Sequence, residues 1–247
     1  MRGAGAFRAA LITTALASLA GCAVRDAACS IVRQPETSAD ADTSAAVSGQ
    51  GAPAPGGSFK IVLLGDSLTA GIGLKLEESF PTRLQERFMA EGYQNVDVIN
   101  AGLTGETTAT ALQRLDAVVE SGTRILVIAV GSNDALRGIP LSDTRENLVE
   151  IMSGAHDRGA AIVLVGMDPP REVGQDYQQG FRETFTSLSS EYHDALTYIP
   201  SLLVGVTGNP ALNQPDGIRP NAAGARVIAG NVFQKLQILV DSMGGGQ

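Results

Sequence analysis

Short apolar runs alternating with amphipathic stretches constrain this chain more than any other feature. Residues 59–64 (FKIVLL), 96–100, 124–130 (RILVIAV) and 161–167 (AIVLVGM) are rich in Val, Ile and Leu, and a weaker run covers 196–199. Runs this short and this continuous suit strands buried on both faces of a parallel sheet. Helical patterns fill the gaps, at 79–91, 106–121, 143–158, 175–191 and 221–241. The last has a clear start signal, because Asn221 follows a proline and can cap the helix. Its apolar positions Val227, Ile228, Val232, Leu236 and Leu239 share one helical face. Strand–helix alternation predicts an α/β sandwich around a mostly parallel five-stranded sheet. Hydrophobic residues make up 44% of the chain, enough for a full core. With no tryptophan and 4% aromatics, that core must be mainly aliphatic.

The alternation starts only at residue 59, and what precedes it reads differently. Arg2 and Arg8 are followed by an apolar stretch at 9–20 and then Leu19-Ala20-Gly21-Cys22. A basic start and a short apolar run are a secretion signal, too short for a stable membrane span. The ending resembles a bacterial lipobox, in which the cysteine is acylated and becomes the first mature residue. An ordinary signal peptide with a chance cysteine is the other reading. Stable anchoring takes more than one acyl chain. In a double-membraned bacterium, Ala23 after Cys22 resembles the outer-membrane sorting class. The expectation is therefore a periplasm-facing envelope lipoprotein with its lipid anchor in a bacterial membrane. Residues 1–21 are then a signal peptide, 22–58 the lipidated Cys22 and a disordered Ala/Ser/Pro/Gly tether, 59–242 the domain and 243–247 a tail. Such a tether reaches about 30 Å on average. Cys29, the other cysteine of the two, is left unpaired.

The net charge of −8 argues against nucleic acid as a partner, since phosphate binding needs a basic face. Loss of residues 1–21 removes Arg2 and Arg8 and no acid, which leaves 16 basic against 26 acidic residues.

In an open parallel sheet, sites form at the carboxyl ends of the strands. Three candidate groups fall there in order. Ser67, in GDSLTAG at 65–71, follows the first run; a serine at a sharp strand-to-loop turn can present its hydroxyl as a nucleophile. Gly102, in NAGLTGETT at 100–108, follows the second, where a missing Cβ lets the backbone N–H approach a ligand. Asn133, in GSND at 131–134, follows the third and offers a side-chain amide to a developing oxyanion. Each alone also reads as ordinary turn chemistry. Asp66 and Asp134 flank the candidates as supporting groups, Asp134 to orient its loop.

Together with DGIRPN at 216–221, these ordered blocks resemble the signature blocks of the SGNH hydrolases, also called the GDSL family. The stretches NPALNQPDGIRPNAAG at 209–224 and MDPP at 167–170 resemble its bacterial arylesterase and thioesterase/lysophospholipase subgroup. The resemblance covers essentially the whole domain. It implies a flavodoxin-like three-layer α/β/α fold, no metal or organic cofactor, and a small ester or thioester substrate. It further implies Ser67 as nucleophile, Asp216 as the acid of a triad, and an oxyanion hole from the N–H groups of Ser67 and Gly102 with the Asn133 amide.

One position departs from the pattern. Where the family places its general base, three residues after the Asp, stands Arg219. A guanidinium has no acceptor and a pKa above about 12, so it cannot take a proton from serine. It can pair with Asp216 instead. The two histidines, His156 and His193, fall at the amino-end edge of the expected sheet, as surface residues. Glu77, Glu78 and Glu106 lie nearer in sequence, and nothing marks any of them as a base. Two expectations follow: a slowed ester hydrolase, or a pseudoenzyme that binds an acyl or carboxylate ligand in the same pocket. The segments 167–175 and 201–215 are expected to line that pocket.

Overall fold

A computed structural model describes residues 58–245. The expected signal peptide, Cys22 and almost all of the tether lie outside the described residues.

Five strands form one all-parallel sheet in the order β2-β1-β3-β4-β5. They are β1 (Phe59–Gly65), β2 (Val96–Gly102), β3 (Thr123–Ala129), β4 (Ala161–Val165) and β5 (Leu196–Ile199). The major helices are α2 (Phe80–Ala90), α6 (Leu141–Asp157), α7 (Gln175–Glu191) and α8 (Ala222–Ser242). Helix α2 packs on α8, and α6 packs on α7. The sheet is therefore the middle of three layers, the α/β/α sandwich expected from the alternation. Central strands β1 and β3 carry the continuous apolar runs, and Ile61, Leu64, Ile125 and Ile128 are fully buried. Short runs stay in the sheet because both of their faces are covered. Asn221 caps α8, its Oδ1 accepting from Ala223 N (2.9 Å) and Gly224 N (3.1 Å). Beyond α8 the chain stays packed: Gly245 N donates to Val240 O, and Gly245 lies against the Phe59 ring.

One expected helix is different. The pattern at 106–121 folds as two short helices, α3 (Thr108–Gln113) and α4 (Leu115–Val118). The break falls at Arg114, whose guanidinium turns back to Glu106 and to the carbonyl of Ala101. Tertiary hydrogen bonds override the helical period there. Two further short helices, α1 (Ser67–Ala70) and α5 (Ser132–Leu136), begin directly after β1 and β3.

Candidate active site

Ser67 is the first residue of α1, reached by a sharp turn out of β1. The turn is held by Asp66, which caps α1 by accepting from Leu68 N at 2.9 Å. Asp66 is buried, and burial pushes its carboxyl up to about 6, with the nearby Glu106 charge adding to the effect. The first N–H groups of a helix have no intrahelical partner. Ser67 N and Ser67 Oγ donate to no group among the described residues, so both remain free.

Asn133 sits in α5, after β3. Its Nδ2 donates to Glu106 O at 2.9 Å, which docks the third block on the second. The other Nδ2 hydrogen is unused. Asp134 is fully buried and accepts from Thr108 N at 2.9 Å and from the Thr108 and Thr144 hydroxyls. It ties α5 to the start of α3. Glu106 is buried and bonded through both oxygens to Arg114. The segment after β2 is therefore held from three sides.

Gly102 does not present a free donor. Its N–H donates to Asn100 Oδ1 at 3.0 Å. A Cβ there would sit 2.4 Å from Ala70 N, so the glycine allows β2 to pass close to α1. Gly105, three residues on, is in the left-handed region at φ 78°. Its carbonyl accepts from Arg137 Nη2 at 2.8 Å, and its N–H is unused among the described residues. The sequence shows only that NAGLTG holds a second glycine; its positive φ is visible in the structure alone.

Asp216 and Arg219 lie in the loop before α8. Asp216 Oδ1 accepts from Ile218 N (2.9 Å) and Arg219 N (3.0 Å), and Oδ2 accepts from Arg219 Nε at 2.5 Å. Partial burial raises the Asp216 carboxyl, but these hydrogen bonds and the guanidinium charge outweigh it and hold the group at about 2. Gln214 pins the loop: its N donates to Arg219 O (2.7 Å), and its Nε2 to Ile72 O (2.8 Å) and Pro220 O (2.9 Å). The Arg219 Nη groups donate to nothing among the described residues.

One cleft of about 360 Å³ brings Asp66, Ser67, Asn133, Asp216 and Arg219 together at the carboxyl edge of the sheet. Its wall is largely apolar, from Leu68, Leu136, Met167, Leu202, Leu203 and Ile218. Segments after β4 and β5 supply part of it, as expected from 167–175 and 201–215. Gly102 and Asp134 are not in the wall. A second cavity of about 220 Å³ lies at the opposite edge, bounded by Val149, Ile162, Leu196 and His156. It holds none of the candidate groups. His193 is exposed beside Asp194, and neither histidine reaches the Ser67 cleft. No cluster of three or more His, Cys, Asp or Glu is placed to hold a metal among the described residues.

A five-stranded parallel sheet between helical layers, with an apolar cleft at its carboxyl edge opening over a serine at the first strand end, is the build of an SGNH-type hydrolase. More narrowly, the chain belongs to the GDSL-like lipase/acylhydrolase family, whose model matches residues 63–227. It is 33% identical to the esterase TesA of Pseudomonas aeruginosa over 73% of this chain and 89% of that protein. An arylesterase of Vibrio mimicus is 34% identical, over 72% and 88%. The crystal structure of TesA superposes with a TM-score of 0.68 at 31% identity, covering 73% of this chain and 99% of that one. That of the psychrotrophic esterase EstA from Pseudoalteromonas sp. gives 0.67 at 30% identity, over 74% and 98%. The family and its named members are carboxylic-ester hydrolases.

Proposed function

We propose that this chain hydrolyses carboxylic esters or thioesters with Ser67 as nucleophile, and that it does so slowly because Arg219 occupies the place of the base. The observation that carries the reading is the cleft itself, in which Ser67, Asn133, Asp216 and Arg219 meet against an apolar wall. Aryl, short acyl and lysolipid esters suit such a wall. Ser67 Oγ attacks the carbonyl carbon, and the carbonyl π pair moves onto oxygen. Ser67 N and the unused Asn133 Nδ2 hydrogen point to donors for that oxyanion. The third donor is Gly105 rather than Gly102, since the Gly102 N–H is already taken by Asn100. Collapse expels the alcohol or thiol, and water then attacks the acyl-serine to release the carboxylate.

The serine proton has no good destination. Arg219 has no acceptor, and it holds Asp216 ionised at about 2, so neither group is a base suited to pH 7. Water must take the proton. Loss of the base in a serine hydrolase costs about 10⁶ in turnover, and about 10³–10⁴ over water survives from oxyanion stabilisation and binding.

A second reading, ligand binding without turnover, is favoured by the Asp216–Arg219 pair, whose free Nη groups suit a carboxylate. One assay separates the two. Hydrolysis of a short nitrophenyl ester is measured for the wild type, Ser67→Ala and Arg219→His. We expect weak wild-type turnover, its loss in Ser67→Ala, and a gain of about 10²-fold or more in Arg219→His. Turnover unchanged by Ser67→Ala would sink the nucleophile assignment. Fast wild-type turnover with no gain in Arg219→His would sink the argument about the base.

The envelope reading belongs here too. Cys22 as a lipidation site, and a periplasm-facing domain anchored in the outer membrane, are supported by residues 1–23 alone. No helix among the described residues is long and apolar enough to cross a membrane.

A further inference from the structure

Single exposed leucines need no explanation on a protein surface; clustered ones do. Nine large apolar side chains are strongly exposed among the described residues, and five of them lie in segments leaving the carboxyl ends of the strands. Ile72 follows α1, Leu103 follows β2, Leu136 ends α5, Val204 follows β5 and Ile218 lies between Asp216 and Arg219. Their exposures run from 38% at Ile72 to 64% at Ile218.

Hydrogen bonds stitch the segments of Ile72, Leu103, Leu136 and Ile218 into a rim, and Val204 follows Leu203 of the cleft wall. Leu103 N donates to Gly65 O at 2.9 Å, which sets Leu103 beside the Ser67 turn. Arg137 Nη2 reaches Gly105 O at 2.8 Å, joining the end of α5 to the segment after β2. Gln214 donates to Ile72 O through Nε2 and to Arg219 O through its backbone N–H. Leu136 and Ile218 form the wall of the Ser67 cleft as well as its rim.

We infer that this rim seats the domain on a lipid bilayer surface, with the mouth of the cleft facing the acyl region. Three observations favour a bilayer over a protein. The rim is continuous with the apolar part of the cleft wall through Leu136 and Ile218, so an acyl chain leaving the bilayer has an apolar path into the cleft. Charges on the same segments are mixed, with Lys75, Arg137 and Arg171 against Glu77, Glu78 and Glu172, so no strongly charged partner is matched. Only 36 residues separate Cys22 from β1, so a flexible chain of that length places the domain about 30 Å on average from an anchor at Cys22. A second weak membrane contact is what a singly anchored chain needs. As a route for substrate, the seat rests on the acyl-cleft reading above; the seating itself does not.

The chain contains no tryptophan, so one can be introduced as a local reporter. Full chains carrying Leu103→Trp on the rim or Ile238→Trp on α8 are mixed with phosphatidylcholine vesicles bearing brominated acyl chains. Emission from Leu103→Trp should shift to the blue and be quenched, as expected about 5–10 Å below the headgroups, while Ile238→Trp responds to neither. Adding Ile72→Ser and Val204→Ser to Leu103→Trp should weaken quenching roughly tenfold in lipid concentration, and added salt should not. Equal quenching at both positions, or none at Leu103→Trp, overturns the proposal. So does a blue shift that grows with protein concentration in the absence of lipid, which would place a second copy on the rim. Repeating the measurement in Ser67→Ala keeps the result separate from ester turnover.

Discussion

Asp66 shows how one residue is strained by its position beside the nucleophile. It caps α1 and so presents Ser67, yet it is 2% exposed and sits near the charge of Glu106. Its folded value of about 6 exceeds the ordinary 3.8. Between those values the folded chain holds a proton that the unfolded chain releases. Stability from this group is therefore complete below about pH 4 and is lost as pH rises through 6. At pH 7 the ionised carboxylate costs about 3 kcal/mol. Asp66→Asn keeps an acceptor for Leu68 N and should stabilise the fold by up to that amount at pH 7, with the gain vanishing near pH 4. Urea unfolding at the two pH values checks it; a gain equal at both would reject burial of charge as the cause. At this scale the sequence was informative about identity and poor about bonding. Ser67 and Asn133 share one cleft, as their order along the strands suggested, and Asp216 and Arg219 join them there, while Gly102, the third group of that order, is not in the wall. The use of the Gly102 N–H by Asn100, and the positive φ of Gly105, depend on local geometry that glycine content alone does not reveal.

The elements follow the periodicity closely where burial sets it and depart where polar side chains do. Strand β2 is an edge of the sheet, with Asp97 and Ile99 exposed. Its outer side is not left bare: Gln85 of α2 donates to Val96 O at 2.8 Å and accepts from Val98 N at 2.6 Å, in the manner of a neighbouring strand. Covered edges resist pairing with other chains. Gln85→Ala should cost about 1–3 kcal/mol for the two lost bonds. It should also promote self-association, seen as a concentration-dependent rise in sedimentation. A stable, monomeric variant would show that the edge is protected by other means. The α3–α4 break is likewise set by side chains. Glu106 is buried and its charge is answered by Arg114, so Arg114→Ala leaves an uncompensated carboxylate and should cost about 3–5 kcal/mol in urea melts. Replacing both partners, as Arg114→Met with Glu106→Gln, should recover most of the loss. No helical period encodes such a pair, which is why residues 106–121 read as one helix.

At the scale of the whole molecule, the site is a product of topology. Four strands deliver their carboxyl ends to one cleft: β1 through Ser67, β3 through Asn133, β4 through Met167 and β5 through Leu202. The loop before α8 closes it with Asp216 and Arg219. Every one of these groups belongs to residues 58–245, and both faces of the sheet are covered by helices from the same span. Among the described residues the core that positions the site is closed on both faces: β1, the first described strand, lies in the middle of the sheet with Ile61 and Leu64 fully buried. A chain beginning at Ser58 should therefore melt within about 2 °C of the full chain, a difference below what 1 kcal/mol produces in a domain of this size. Its ester turnover in detergent-free buffer should be the same as well, because no cleft group is removed. Differential scanning calorimetry and the nitrophenyl ester assay test the two halves of this expectation. A fall in melting temperature well beyond that margin would show that residues 1–57 contribute to the folded core. Unchanged melting with altered turnover would instead place part of the leading segment over the cleft.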